Sequence, residues 1–385
     1  MELGLAAKSE HVQELVNFAR PLRRKFSTSF AWPTISHSVN RCSMGLYIFG
    51  HFREMASLES GINSRSEKPR SLLWLVTLLI AAACLHQPVA NGALQVGFYD
   101  GTCSRAESIV KDTVRAAVSS DRTIAASIIR LHFHDCFVEG CDASLLLTGS
   151  GTEQTAIPNQ SVRGYGVITD AKSQLEASCP GVVSCADIVA LAARDSVEIL
   201  GGAPYDAETG RFDGTAPGSN VLAKLPGPNM TVEEATPFFT NLGLTQEDMV
   251  TLLGSHTVGV SQCLFFVDRL YNFKGTGKPD PSLDVSYLAK LQSLCPDVTG
   301  DTTNVALDEN SEFAFDTSYF RNLQASKGVL RIDQEIANDA STSGRVNTLS
   351  ASSNTFGADF GAAMIAMGRI GVLTTGNVRA ICESS

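Results

Sequence analysis

Residues 130–142 read RLHFHDCFVEGCD, with one arginine, two histidines, two aspartates and two cysteines in thirteen positions. The run before them, DRTIAASII (121–129), places apolar residues at helical spacing, which predicts a helix over 121–137. At about 100° of rotation per residue, His132 and His134 stand about 200° apart, on opposite faces, and cannot ligate one metal together. Arg130 and His134, four apart, share a face that Phe133 joins. His132 turns the other way, into the protein body. The preceding turn is apolar (Ile124, Ala125, Ile128, Ile129), so the Arg130 face points inward, where an arginine and a histidine require a polar ligand. A neutral imidazole accepts a proton and a fixed guanidinium stabilises developing negative charge. That pair suits splitting a small, weakly acidic substrate into an anion. Asp135, Asp142 and Ser144 follow across a glycine at 140, and oxygen side chains spread through an irregular loop suit a hard cation such as calcium, without the EF-hand pattern.

Outward from this stretch the sequence reads as helix. AESIVKDTVRAAVSS (106–120), GYGVITDAKSQLEAS (164–178), SCADIVALAARDSVEIL (184–200) and FGADFGAAMIAMGRI (356–370) all carry apolar residues at helical spacing. Asp121, Ser184 and Thr245 are expected N-caps. TGSGTEQ, GTAPGSN, LPGPN and GTGKPDP mark loops. No repeat, heptad array or strand–helix alternation is present, so the expected architecture is all-α, with helices of roughly 10–17 residues.

The 385-residue chain is 44% hydrophobic and carries a net charge of −10. Residues 1–92 hold 10 basic and 6 acidic groups, net +4, and residues 93–385 hold 20 and 34, net −14. So acidic a body has no electrostatic reason to bind nucleic acid. Leu72 to Leu85 (LLWLVTLLIAAACL) is apolar over 14 residues, short of the roughly 20 a membrane span needs. Arg65, Lys68 and Arg70 precede it and Ala90-Asn91-Gly92 follow, the build of a secretory signal with cleavage after Gly92. Met55 offers an alternative start, so 55–92 reads as the signal peptide, 1–54 as an extension outside the fold, and 93–385 as the folded domain. The competing reading keeps 1–92 as an internal signal anchor. Eight cysteines remain beyond it, at 103, 136, 141, 179, 185, 263, 295 and 382. An even count behind a signal implies disulfides, and eight cysteines allow 105 pairings. Zinc is the rival reading, but the spacings CxxxxC (136–141) and CxxxxxC (179–185) lack a CxxC pair.

RLHFHDCFVEGCDASLLL resembles the distal motif of the plant secretory (class III) haem peroxidases, and DMVTLLGSHTVGVSQC (248–263) resembles their proximal haem-ligand motif. GFYDGTC (97–103), CPGVVSCADIVALAARDSV (179–197), LPGPN (225–229), DRLYNF (268–273) and FDTSYFRNL (315–323) match in the same order, so the likeness runs from about 94 to 382. The resemblance implies the haem peroxidase fold: about ten or more helices in distal and proximal halves with haem b between them, and little β-structure. It implies His256 as the iron ligand with Asp333 behind it, His134 and Arg130 as the catalytic pair with Phe133 beside them, and Asn159 holding His134 in its basic tautomer. Pro226 aligns with the proline lining the reducing-substrate entrance. One calcium site maps onto Asp135, Val138, Gly140, Asp142, Ser144 and Glu153, a second onto Thr257, Asp308, Ser311, Ala314 and Asp316. The family's disulfides carry over as Cys103–Cys179, Cys136–Cys141, Cys185–Cys382 and Cys263–Cys295, and Asp187 and Arg211 match a buried ion pair.

The implied activity is reduction of hydrogen peroxide with one-electron oxidation of small phenolic donors, by a monomer in the cell wall or extracellular space, with no membrane segment in the mature form. Of the two N-x-S/T sequons, Asn159 is expected buried and Asn229 is the expected glycosylation site. The chain departs from the family pattern at Glu139, where asparagine is commoner, at Thr123, where many members have arginine, in GRFDG (210–214), and at Val258 and Leu307. These positions bear on donor preference and haem-edge electrostatics rather than on the reaction class.

Overall fold

The computed structural model describes residues 94–373 and 375–384. The expected extension 1–54 and the expected signal peptide 55–92 lie outside the described residues. Thirteen α-helices run in order among these residues: α1 Ala106–Ser120, α2 Ile124–Cys136, α3 Tyr165–Ser178, α4 Cys185–Ile199, α5 Val221–Lys224, α6 Val232–Thr240, α7 Gln246–Leu253, α8 Val267–Tyr271, α9 Val285–Leu294, α10 Ser318–Gln324, α11 Arg331–Asn338, α12 Ser343–Ala351 and α13 Ser353–Met367. The β-structure is one antiparallel pair, β1 Val260–Gln262 with β2 Asn304–Ala306, in register Val260 to Ala306. The expected all-α architecture stands.

Sequence explains most of the helix starts. Ser184 accepts from Asp187 N, and Thr245 and Asp248 form a reciprocal capping box at α7, as Thr231 and Glu234 do at α6. Asp121 differs from its expected role. Its carboxylate accepts from Thr123 N and Oγ1, but the helix proper starts at Ile124, because 121–123 form the turn out of α1 rather than a first helical turn. Several helices also fall short of the expected length. α5 has four residues and α8 five, since glycine- and proline-rich loops interrupt the chain there. The last helix stops at Met367, before Gly368.

The buried stripes decide the packing. α1 buries Ile109, Val110, Val114 and Val118, and α4 is buried on nearly every face. α4 therefore forms the centre of the first group, with α1, α2 and α3 around it. A second group joins α7, α10, α11, α12 and α13, with Phe315, Phe320, Phe356 and Phe360 interlocked between them. Gly164 shows how closely α3 enters against α2. Its φ is +109°, and a Cβ there would stand 3.1 Å from Ile128.

Four disulfides are formed, Cys103–Cys179, Cys136–Cys141, Cys185–Cys382 and Cys263–Cys295. The third joins residues 197 apart, tying the C-terminus to the central helix. Beside it a buried ion pair links Arg211 Nη1 to Asp187 Oδ1 at 2.8 Å. Asp187 also accepts from Tyr99 Oη at 2.6 Å and Gly210 N at 2.7 Å, while Arg211 donates to Gly368 O. Asp187→Ala leaves a buried guanidinium uncompensated, so denaturant unfolding should show a loss of about 3–5 kcal/mol. An unchanged midpoint would contradict this account of the core.

Candidate active site

α2 leaves one stripe half-buried: Ala126, Ser127, Arg130 and Phe133. The spacing is that of one helix face that the surrounding protein covers only in part. His134 borders it, buried, with its ring edge-on to Phe133. His134 Nδ1 lies 2.6 Å from Asn159 Oδ1. The Asn159 amide cannot turn over without losing a partner, because its Nδ2 donates to Glu153 O at 2.9 Å. Its oxygen therefore faces the ring, Nδ1 carries the proton, and Nε2 keeps its lone pair. Burial, reinforced by the Arg130 charge, pushes the His134 imidazole down to about 3, so the ring is neutral at physiological pH. Arg130 donates to Ser161 Oγ and Pro158 O, both at 3.1 Å, and no carboxylate pairs with it among the described residues. His132 faces away, buried against Cys136, as the helix geometry requires. Cys136 and Cys141 are bonded to each other, so neither offers a thiolate to a metal beside His132.

Immediately beyond His134 the loop 135–144 turns back on itself. Gly140 is forced by contact, since a Cβ would stand 2.7 Å from Gly371 Cα at φ +109°. Asp135 Oδ2 accepts from Ala143 N at 3.0 Å, and Asp142 Oδ1 from Ser144 N at 2.9 Å. Asp135 Oδ1, Ser144 Oγ and Glu153 Oε2 are buried with no hydrogen-bond partner. Burial, together with the neighbouring Asp142 and Glu153 charges, raises the Asp135 carboxyl well above its ordinary range, and burial raises Glu153 as well. Orphaned acceptors crowded among like charges are what a bound cation would resolve.

His256 sits in a short 3-10 turn, Gly254–Thr257, directly after α7. Its Nδ1 is 2.8 Å from Asp333 Oδ1 on α11, and the same carboxylate oxygen accepts from Tyr319 Oη at 2.9 Å. The carboxylate only accepts, so Nδ1 carries the proton and Nε2 is the free donor atom. No protein group meets that nitrogen among the described residues, and the side chain keeps 27% of its exposure. Leu252, Leu253 and Ser255 are half-buried beside it. Gly259, three residues on, lies against α2, where a Cβ would stand 3.0 Å from Ala126 Cβ, so this segment meets the open stripe of α2.

The residue after His256 enters a second oxygen cluster. Thr257 Oγ1 lies 3.3 Å from Asp308 Oδ2 and 3.5 Å from both Ala314 O and Asp316 Oδ1, and Ser311 Oγ lies 3.2 Å from Asp308 Oδ2. Asp308 and Asp316 pair with no cation among the described residues. Pro226 is half-buried in the loop 225–230, held to the start of α11 by Ile332 N donating to Pro228 O at 3.1 Å.

Comparison with known proteins places the chain among the peroxidases. The sequence model of the peroxidase family covers residues 110–352. Tobacco (Nicotiana tabacum) Peroxidase N1 is 46% identical over 315 residues, 80% of this chain and 95% of the relative. Arabidopsis thaliana Peroxidase 71 is 43% identical over 323 residues, covering 82% and 98%, and Peroxidase 57 is 44% identical over 298, covering 77% and 94%. The chain belongs to the plant class III haem peroxidase family. It is therefore an oxidoreductase acting on hydrogen peroxide, and the family implies a haem cofactor. The residues present fit one, because His256 presents an unengaged Nε2 on a half-buried surface, and its segment meets α2 at Gly259 and Ala126. No helix among the described residues is long and apolar enough to cross a membrane.

Arg130, Phe133, His134 and Asn159 gather along α2; Asp135, Val138, Gly140, Asp142, Ser144 and Glu153 in and beside the loop 135–144; His256 with Asp333; and Thr257, Asp308, Ser311, Ala314 and Asp316 in the second oxygen cluster. Tyr319, Ser161 and Ser318 went unrecognised. Ser318 Oγ stands 2.7 Å from Asp308 Oδ2 and also contacts Asp316 and Ser311. Of the departures, Glu139 pairs with Lys224 at 2.7 Å and Thr123 Oγ1 accepts from Arg163 at 2.9 Å, while Val258 and Leu307 are core. Tyr319→Phe removes one of the two donors on Asp333. Denaturant unfolding should show a loss of about 2 kcal/mol, the scale of a buried hydrogen bond to a charged acceptor.

Proposed function

We propose that this peroxidase binds haem b, whose iron His256 Nε2 would hold, and that His134, Arg130 and Asn159 perform its catalysis. Bound there, the haem iron supplies the redox centre at which the peroxide O–O bond is broken. His134 Nε2 takes the proton from one peroxide oxygen and delivers it to the other, which leaves as water. Arg130 stabilises the negative charge that develops on the departing oxygen. Asn159 keeps the accepting nitrogen free of its own proton, and Asp333 makes His256 a stronger electron donor. Over a full cycle one peroxide and two phenols give two waters and two phenoxyl radicals. The observation that carries this reading is the amide of Asn159, held at both ends so that His134 presents only a lone pair.

The remaining assignments rest on the same family placement. Calcium ions would occupy the cluster of Asp135, Val138, Gly140, Asp142, Ser144 and Glu153, and that of Thr257, Asp308, Ser311, Ala314 and Asp316, since three atoms of the first are otherwise orphaned. Pro226 would line the entrance for small phenolic donors. The protein would act as a secreted monomer in the cell wall or extracellular space. Asn229 is exposed and Asn159 buried, which favours a glycan on the former.

Stopped-flow mixing with peroxide tests the base. His134→Leu should slow the first step by about 10²–10⁴-fold. Because burial depresses the imidazole, its base form persists as pH falls, so the wild-type rate should hold from neutrality to about pH 4 and decline only as the ring takes a proton near 3. A midpoint near the ordinary histidine value of about 6.5 would overturn the assignment. Chelation tests the cations. Removing calcium should lower the unfolding midpoint and adding it back should restore it, with about 4 kcal/mol recovered at a thousandfold excess over Kd. An unchanged midpoint in chelator would remove calcium from the account.

A further inference from the structure

The first turn of α11 holds two things at once. Asp333 holds His256 at 2.8 Å. Two residues earlier, Arg331 Nη1 donates to Asn229 O at 2.8 Å, and the next residue, Ile332, donates its N–H to Pro228 O at 3.1 Å. Consecutive carbonyls of the Pro226 loop are thus gripped by consecutive residues of the helix start that orients the histidine. Arg331 is itself held on two sides, its Nε 3.2 Å from Glu335 Oε1 and its guanidinium 5.8 Å from the Phe273 ring centre. Inside the loop one long backbone bond forms, Met230 N donating to Gly227 O at 3.4 Å. Pro226 and Pro228 have no N–H to donate, and Gly227 N reaches only the Met230 Sδ at 3.3 Å. A thioether is a weak acceptor, so the two shorter bonds from α11 are the main grip on the loop.

We propose that Arg331 is a positioning residue for the reducing substrate, fixing the 226–230 loop in the shape the donor meets while leaving the peroxide reaction to His134 and Arg130. The inference rests on the reading of Pro226 as part of the donor entrance. It concerns specificity, because loosening the loop changes how a phenol approaches without touching the groups that handle peroxide. The bonds of Asp333 to His256 and Tyr319 do not involve Arg331.

Steady-state kinetics of the haem-loaded enzyme separate the two half-reactions, since kcat/KM for peroxide and kcat/KM for the donor report different steps. With guaiacol as donor, Arg331→Gln should lower kcat/KM for guaiacol by about threefold or more and leave kcat/KM for peroxide within about twofold. Arg331→Lys, which retains a charged donor, should recover part of the loss. Equal losses in both constants would reduce Arg331 to a general structural role and overturn the proposal. Pro226→Ala distinguishes the remaining failures. If it lowers guaiacol kcat/KM and Arg331→Gln does not, the clamp is wrong. If neither variant does, the entrance reading falls and the proposal with it.

Discussion

Each of two imidazoles has its Nδ1 proton committed to a fixed acceptor, and the chemistry depends on that pair of hydrogen bonds. An imidazole in solution exchanges tautomers freely, and either nitrogen can serve as acid or base. Here Asn159 Oδ1 fixes one ring and Asp333 Oδ1 the other. Both rings keep a lone pair on Nε2, but the acceptors differ in charge and so give the rings different tasks. A neutral amide leaves His134 a weak base suited to borrowing and returning a proton. A carboxylate presses electron density onto His256 and suits it to a metal.

The acceptors need support of their own. Asn159 is held by the Glu153 carbonyl, and the Glu153 side chain belongs to the cluster of orphaned oxygens that begins at Asp135, the residue after His134. Asp333 is held by Tyr319, and Thr257, the residue after His256, enters the second oxygen cluster. Each histidine therefore adjoins a pocket of buried negative charge. Such pockets are costly when empty, and a cation that fills one also braces the neighbouring ring. Chain adjacency, rather than direct contact, is what would link peroxidase chemistry to a cation bound in either cluster.

The stretch 130–142 was legible because a helix converts spacing into direction. Arg130, Phe133 and His134 had to share a face and His132 had to leave it, whatever the rest of the chain did. The paired oxygens of the first loop were visible as composition, but the disulfide pattern was not, since eight cysteines permit too many pairings for spacing to choose. Family resemblance supplied that, along with His256 and Asp333, which stand 77 residues apart and meet only in the fold. Tyr319, Ser318 and the Arg331 clamp had no comparable signal. Arg331 meets Asn229 across 102 residues through a backbone carbonyl, which no side-chain pattern records. Helix ends were legible where a capping residue was present, as at Ser184 and Thr245, and less so at α5 and α8, where loops set the length.

We propose that Asp333, by holding Nδ1, turns His256 so that its Nε2 alone would meet the haem iron. The most direct measurement is the Soret spectrum of the haem-loaded His256→Gly variant, titrated with free imidazole. The account predicts that the variant loses the histidine-ligated spectrum and that imidazole entering the vacated position restores it, together with peroxide-dependent phenol oxidation. A variant whose spectrum and turnover match the wild type without imidazole would contradict the assignment of the axial ligand.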